Sequence, residues 1–133
     1  MIGLALAVLI LAGMAYVRLS PMDPARWHQP IEVQTDQDLS VGAVRVLAGG
    51  DVLFRAIDRE MRALPRTQVL AGSVEEGRVT YVTRSAVFGF PDATTLELRA
   101  DEVRIFGRLR FGASDLGVNR KRLEGLIAAV QGG

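Results

Sequence analysis

Thr94 to Phe111 reads TTLELRADEVRIFGRLRF, and this stretch decides the fold because its apolar residues recur at every second position. A period of two belongs to a strand with one buried face, since successive side chains point to opposite sides. Two such runs, Thr94 to Arg99 and Glu102 to Phe111, meet at Ala100 and Asp101. Folded back as a hairpin, they set Leu98 against Val103, Leu96 against Ile105 and Glu97 against Arg104, so like faces like across the ladder. Ala100 and Asp101 are poor residues for a primed two-residue turn, which leaves a longer loop open. The alternation assigns Val103, Ile105, Leu109 and Phe111 to a core face and Arg104, Arg108 and Arg110 to a polar one.

The preceding stretch repeats the pattern. Val69 to Glu75 and Arg78 to Ser85 meet around Glu76 and Gly77, a register that places Glu75 opposite Arg78 and Val74 opposite Val79. Further upstream, Leu53, Ile57, Met61 and Leu64 fall on one face of a helix that Asp51 can cap and Pro65 ends, with Asp58, Arg59 and Arg62 directed elsewhere. Val41 to Leu47 reads as an extended segment ending at Gly49 and Gly50, while Ile31 to Leu39 has too few apolar residues to define an element. Downstream, Leu123, Leu126, Ile127 and Val130 recur at helical spacing before a glycine stop at Gly132 and Gly133. That helix begins at Ser114 or Asp115, or only at Asn119. The expected fold class is therefore α+β: two antiparallel β-hairpins form a small sheet, with an N-terminal and a C-terminal helix packed on it.

The start of the chain answers to a different solvent. Ile2 to Val17 is an unbroken run of apolar and small residues, and Leu19 extends it if Arg18 turns its guanidinium toward lipid headgroups. A spanning helix needs about 20 such residues and a signal-peptide core roughly 7 to 15. We expect an uncleaved transmembrane helix over residues 1–19, with a signal peptide as the alternative, since Gly13 to Ala15 offers one tolerable cleavage site. Tyr16 and Trp27 suit the interfacial aromatic belt. Pro21, Pro24 and Pro30 disfavour helix in the next stretch, so residues 20–40 read as a proline-containing stalk and residues 41–133 as the α+β domain. Arg18 and Arg26 follow the apolar run, which by the positive-inside tendency would keep the domain in the cytoplasm, whereas signal-anchor targeting more commonly exports it. The expectation is a single-pass protein of a bacterial inner membrane, with residues 2–19 in the lipid bilayer and the soluble domain in the periplasm.

Composition removes several function classes. With 133 residues there is room for one core of ordinary size. Lysine and arginine total 16 against 15 for aspartate and glutamate, so no strong field draws the chain to nucleic acid, and no nucleic-acid partner is expected. Nearly all the basic residues are arginine, Lys121 being the sole lysine, a bias that either genome composition or anion pairing produces. The absence of cysteine excludes disulfides, thiolate metal sites and cysteine nucleophiles. The lone His28 lies among prolines, so neither a metal site nor a cofactor is expected.

Two constellations remain. Phe88, Gly89, Phe90, Pro91, Asp92 recurs as Phe111, Gly112, Ala113, Ser114, Asp115, each copy ending a strand that carries arginines. Paired carboxylates at Asp92 and Asp115 can do acid–base work or bind a hard cation, but a glycine that turns the chain before a capping aspartate is the simpler account. The second is the row of Arg104, Arg108 and Arg110, with Arg78 and Arg84 sharing a face in the other hairpin. Such a ladder can hold an anion or meet acidic headgroups. Glu97 is placed to neutralise Arg104 and Glu75 to neutralise Arg78, which makes a solvated ion-pair face the simpler account and leaves Arg84, Arg108 and Arg110 without a partner. No nucleophile elbow, phosphate-binding glycine loop or dinucleotide fingerprint occurs, and no histidine is placed to activate Ser85, so no catalytic residue is assigned.

The residues Arg110, Gly112, Ser114, Asp115, Leu116, Gly117, Asn119, Arg120, Lys121, Arg122 and Glu124 spell R-x-G-x-S-D-L-G-x-N-R-K-R-x-E. In this run the chain resembles the domain of unknown function 1499 family, found in bacteria and plastid-bearing organisms. Many relatives carry Arg-Ser-x-Ser where this chain has Phe106, Gly107, Arg108 and Leu109. The resemblance implies a small envelope-associated domain and supplies no substrate, cofactor or catalytic residue. It points to Asp115 as a cap, Gly117 as a close-packing point, and Asn119 with Arg122 as a polar cluster facing the sheet. The expected function is a non-enzymatic binding or interaction module for an anionic ligand, a lipid or a protein partner, using Arg84, Arg108, Arg110, Asp115, Asn119 and Arg122. The alternatives are a hydrolase-type enzyme working through Asp92 and Asp115, and an accessory subunit of a membrane complex docked through Gly3 and Gly13 of the anchor.

Overall fold

A computed structural model describes residues 1–132. The decisive hairpin forms as its alternation requires: β5 (Pro91–Arg99) and β6 (Glu102–Leu109) pair antiparallel with Leu98 opposite Val103, Leu96 opposite Ile105 and Glu97 opposite Arg104. No longer loop is needed, because Ala100 takes a left-handed φ of 51° and closes the turn with Asp101. That conformation costs an L residue roughly 1–2 kcal/mol, which the register of the whole hairpin offsets.

The first hairpin departs from expectation in register. In β3 (Thr67–Ser73) and β4 (Arg78–Arg84), Ser73 faces Arg78 and Gly72 faces Val79, and the register slips between Val69 and Ala71. A two-residue turn at Glu76 and Gly77 would put both in the left-handed region, which Glu76 resists. The chain spends Val74 to Gly77 on the turn and leaves only Gly77 left-handed there. Glu75 therefore does not meet Arg78.

Two further strands complete the sheet, which has six strands rather than the four expected. The extended segment becomes β2 (Gly42–Ala48), paired with β6, and the short β1 (Gln37–Asp38) pairs with β2 in the stretch that has too few apolar residues to define an element. The strand order is β1-β2-β6-β5-β4-β3, every pairing antiparallel.

Helices α3 (Asp51–Ala63) and α4 (Val118–Gln131) cover one face of this sheet. Phe54, Ile57 and Met61 from α3, with Leu123 and Leu126 from α4, meet Val79, Tyr81, Leu96, Val103 and Ile105 in the main core. Gly50, not Asp51, stands at the N-cap of α3, and Asp51 pairs instead with Arg55. Asp58 is not directed outward either. It is buried, accepts the Tyr81 hydroxyl and pairs with Arg62 Nε at 2.9 Å. Burial, then the hydrogen bond to Asp58, pushes the Tyr81 hydroxyl well above the usual phenol range. The C-terminal helix begins at Val118 and is closed by Gly132, while Gly133 lies outside the described residues.

The largest correction concerns residues 20–40, which are not a stalk: residues 20–31 form a strap across the second face of the sheet, and Gln37–Asp38 join the sheet as β1. Pro24 does not prevent helix because it occupies the first position of the short α2 (Pro24–Trp27), where no amide hydrogen is required, and Asp23 caps it. Met22 and Trp27 are buried against Val82 and Ala93, making a second core, and Ile31 is buried beyond them. Before the strap, α1 (Ile2–Leu19) is one apolar helix long enough to cross a membrane.

Tyr81→Phe removes the donor that satisfies buried Asp58 and is expected to cost about 1–3 kcal/mol, read as a lower denaturation midpoint in urea with an unchanged slope.

Candidate functional site

The arginines that lack partners in the sequence find them in the strap. Arg108 Nη1 donates to Thr95 Oγ1 at 2.8 Å and Phe106 O at 3.0 Å, and Nη2 to Trp27 O at 2.5 Å. Its guanidinium lies 4.6 Å from the Phe106 ring centroid and 5.3 Å from that of Trp27. Burial pushes it down to about 10, so it stays charged at neutral pH. Arg110 reaches Pro21 O at 2.5 Å and Ser20 O at 3.3 Å, and Arg84 reaches Gly89 O at 3.0 Å and Val17 O at 3.4 Å. Arg104 pairs with Glu102 and donates to Ile31 O at 2.7 Å, while Glu97 binds Arg78 and Arg99 rather than Arg104. A stretch containing three prolines has few amide hydrogens with which to build a ladder, and these guanidinium groups supply the missing donors.

On the opposite face of the sheet, the two FGxxD corners come together as the repeat suggests. Gly89 and Gly112 both turn the chain at positive φ, and Asp92 and Asp115 share one partner. Asn119 Nδ2 donates to Asp115 Oδ2 at 2.9 Å and to Asp92 Oδ2 at 3.4 Å, and Arg122 Nη1 donates to Asp92 Oδ2 at 3.3 Å. Asp115 also accepts the backbone amides of Gly117 and Asn119, which caps α4. Gly117 serves by its left-handed φ of 79° rather than by close packing. Close packing falls to Gly107, where a Cβ would lie 2.7 Å from Asn119 Oδ1. Burial raises the Asp92 carboxyl against the pull of Arg122, whereas Asp115, though partly desolvated, is held below the usual range by its bonds from Asn119 and Gly117.

The sheet therefore divides the residues that the sequence groups as one site: Asp115, Asn119 and Arg122 lie on the helix face, and Arg84, Arg108 and Arg110 on the strap face. Of all these, only Arg84 lines the main cleft. That cleft, about 910 Å³, opens where α1 enters the domain, and Arg18, Arg66, Gln68, Arg84 and Ser85 give it its polar lining. Among the described residues, no carboxylate lines it. Arg66 adopts a left-handed φ of 55° and is fixed by a 2.9 Å bond from its Nε to Arg84 O. Sequence reading misses Arg18 and Arg66 as partners of Arg84. Their only signal is position, Arg18 in the last turn of α1 and Arg66 directly before β3.

The family described as "Protein of unknown function (DUF1499)" matches residues 17–130. The chain belongs to this family. The match begins inside α1 and includes the strap, so the residues that cross the sheet are part of the family domain. No curated protein matches the chain. Among solved structures, a crystal structure of a DUF4468 family protein from Bacteroides ovatus is similar at 9% identity and a TM-score of 0.34, over 66% of this chain and 63% of that one. The chain thus spans less than two thirds of that protein's length.

Arg108→Ala is expected to free the strap: emission of Trp27, the sole tryptophan, moves to longer wavelength and protease cuts appear within residues 20–31. Arg108→Lys restores this only in part, because one ammonium cannot span the three acceptors. A depressed carboxyl contributes stability that is present at neutral pH and lost as pH falls through its folded value, below the ordinary 3.8. Asp115→Asn should therefore flatten the acid limb of a stability profile below about pH 4, whereas Asp92→Asn, removing a carboxyl shifted the other way, leaves that limb in place.

Proposed function

We propose that this chain is a non-enzymatic, membrane-anchored module that binds an anionic lipid headgroup in the arginine cleft. The observation that carries this reading is the cleft's lining: Arg18, Arg66 and Arg84 without an acidic residue, at the foot of a helix apolar enough to span a bilayer. The far end of the sheet carries Glu75, Glu76, Asp101 and Glu102 beside Arg78 and Arg99, whereas the end joined to α1 presents Arg18, Arg66, Arg84 and Arg110, with Asp92 and Asp115 bonded to Asn119 of α4. Guanidinium forks suit phosphate, and each basic group near an anionic surface contributes about 1 kcal/mol. For the domain's side of the membrane we take the periplasm, on the signal-anchor reading. A reporter fused at the C-terminus that is active only in the cytoplasm should stay silent.

The alternative, a hydrolase using Asp92 and Asp115, draws support from their shared position and opposed shifts, a pattern that working carboxylate pairs display. Against it, both carboxylates already serve Asn119 and Arg122, and neither lines the main cleft.

The test is competition of lipids for the full-length protein in mixed phosphatidylcholine and phosphatidylglycerol nanodiscs, with retained lipid read by native mass spectrometry. The native chain should retain phosphatidylglycerol preferentially, and Arg66→Ala should lower that preference about fivefold. Equal retention of the two lipids by the native chain would overturn the reading.

A further inference from the structure

The apolar loop between β4 and β5 is an exposed surface that neither core explains. Val87 is 66% exposed, Phe88 46% and Phe90 44%, and the two rings stack at 5.7 Å between centroids. They do not face open solvent alone. Phe88 and Phe90 form one wall of a groove whose other wall is Ile10, Gly13, Met14 and Val17 of α1.

We propose that the segment from Ser85 to Phe90 is a membrane-insertion loop, with Phe88 and Phe90 immersed in the acyl chains beside the anchor. This rests on the anchoring of α1 in a bilayer and adds that the folded domain itself enters the lipid. Two independent observations support it.

The first is depth. The unbroken apolar run of α1 ends at Arg18, whose charge belongs at the headgroup boundary. With α1 in a bilayer, the two turns before it, Ile10 to Val17, therefore lie within the apolar layer. Side chains level with Gly13 and Met14 share that depth.

The second is the loop's carbonyls: from Ser85 to Phe90 all but that of Ala86 accept a bond from the described residues, and the amides of Ala86, Val87 and Phe88, unpaired among those residues, place the backbone at the headgroup boundary with the rings below it. Arg18 Nη2 donates to Val87 O at 2.5 Å and its Nε to Phe88 O at 3.4 Å, while Arg84 donates to Gly89 O at 3.0 Å. Ser85 N binds Phe90 O at 3.0 Å, Gly89 N binds Ser85 O at 3.2 Å, and Phe90 N binds Ser85 Oγ at 2.9 Å. Hydrocarbon offers no partner to a free carbonyl, so irregular backbone survives there only when the protein supplies the bonds. Arg18 does so with a guanidinium that also sets the depth, since its charge belongs at the headgroup boundary.

The native chain has no cysteine, so single labels are clean. Val87→Cys and, at the opposite end of the sheet, Glu76→Cys would each carry an environment-sensitive nitrobenzoxadiazole dye on the full-length protein. Both go into phosphatidylcholine vesicles with and without nitroxide-labelled acyl chains, and Phe90→Cys provides a second position should the first disturb the fold, as judged by Trp27 emission. The dye at residue 87 should emit at shorter wavelength than at residue 76 and be quenched at least threefold by the labelled chains, with residue 76 unaffected. Protein that floats with the vesicles while residues 87 and 90 stay as water-exposed as residue 76 overturns the immersion. Protein that does not float overturns the anchoring beneath it. Because these vesicles are zwitterionic, neither outcome depends on headgroup selection by the arginine cleft.

Discussion

The bond from Arg108 to the carbonyl of Trp27 is the constraint on which the other arrangements depend. A sheet with helices on one side only would leave Arg84, Arg104, Arg108 and Arg110 facing water over a surface that includes Val82 and Ala93. Crossing that surface with residues 20–31 covers the apolar patch with Met22 and Trp27, but it also takes the carbonyls of a proline-rich segment out of water. Buried carbonyls need donors, and an unmet one costs on the order of 1–3 kcal/mol. The guanidinium groups supply them along the whole path, from Arg104 at Ile31 to Arg108 at Trp27, Arg110 at Pro21 and Arg84 at Val17. An anion-binding ladder by pattern is, in position, a backbone clamp.

That clamp also makes the cleft. Because Arg84 and Arg110 hold the chain at Val17, Ser20 and Pro21, the end of α1 is tied to the edge of β4 and β6 rather than hanging on a linker. The space left between this tie and the start of β3 is where Arg18, Arg66 and Arg84 converge. A flexible stalk would let the domain tumble away from α1; a strap keeps one end of the sheet against it.

How much of this the sequence can disclose follows from the range of each interaction. The β5–β6 register is readable because it depends on alternation and a short turn, both local. The β3–β4 register escapes pattern reading because Glu76 refuses the left-handed region, a preference hidden behind the symmetry of the flanking residues. Asp58 turns inward against expectation because the Tyr81 hydroxyl of the sheet donates to its carboxylate on the buried side of α3. The strap is invisible for a deeper reason: its partners are backbone carbonyls, which every residue has, and nothing in a side-chain pattern marks which carbonyl an arginine 70 or more residues away will bind. The repeat at Asp92 and Asp115 does reveal a true proximity, since the start of β5, which holds Asp92, pairs with the end of β6, which leads to Asp115.

The C-terminal run that identifies the family stands in contrast to the cleft. Six of its members are occupied inside the fold, while Leu116, Arg120 and Lys121 stay exposed. Ser114 accepts the Leu116 amide, Asp115 caps α4, Gly117 supplies a left-handed turn, Asn119 fills the space left by Gly107, Arg122 meets Asp92, and Glu124 meets Arg45. The polar atoms of these six are spent on the fold itself. The specificity of the run is that of a clasp locking α4 to the sheet, and a clasp of this kind fixes the strands whose other ends and other face carry the strap and the arginines. The residues most legible as a family signature therefore build the platform, and the side chains with uncommitted nitrogens lie at the end joined to α1, facing a cleft without a counter-charge.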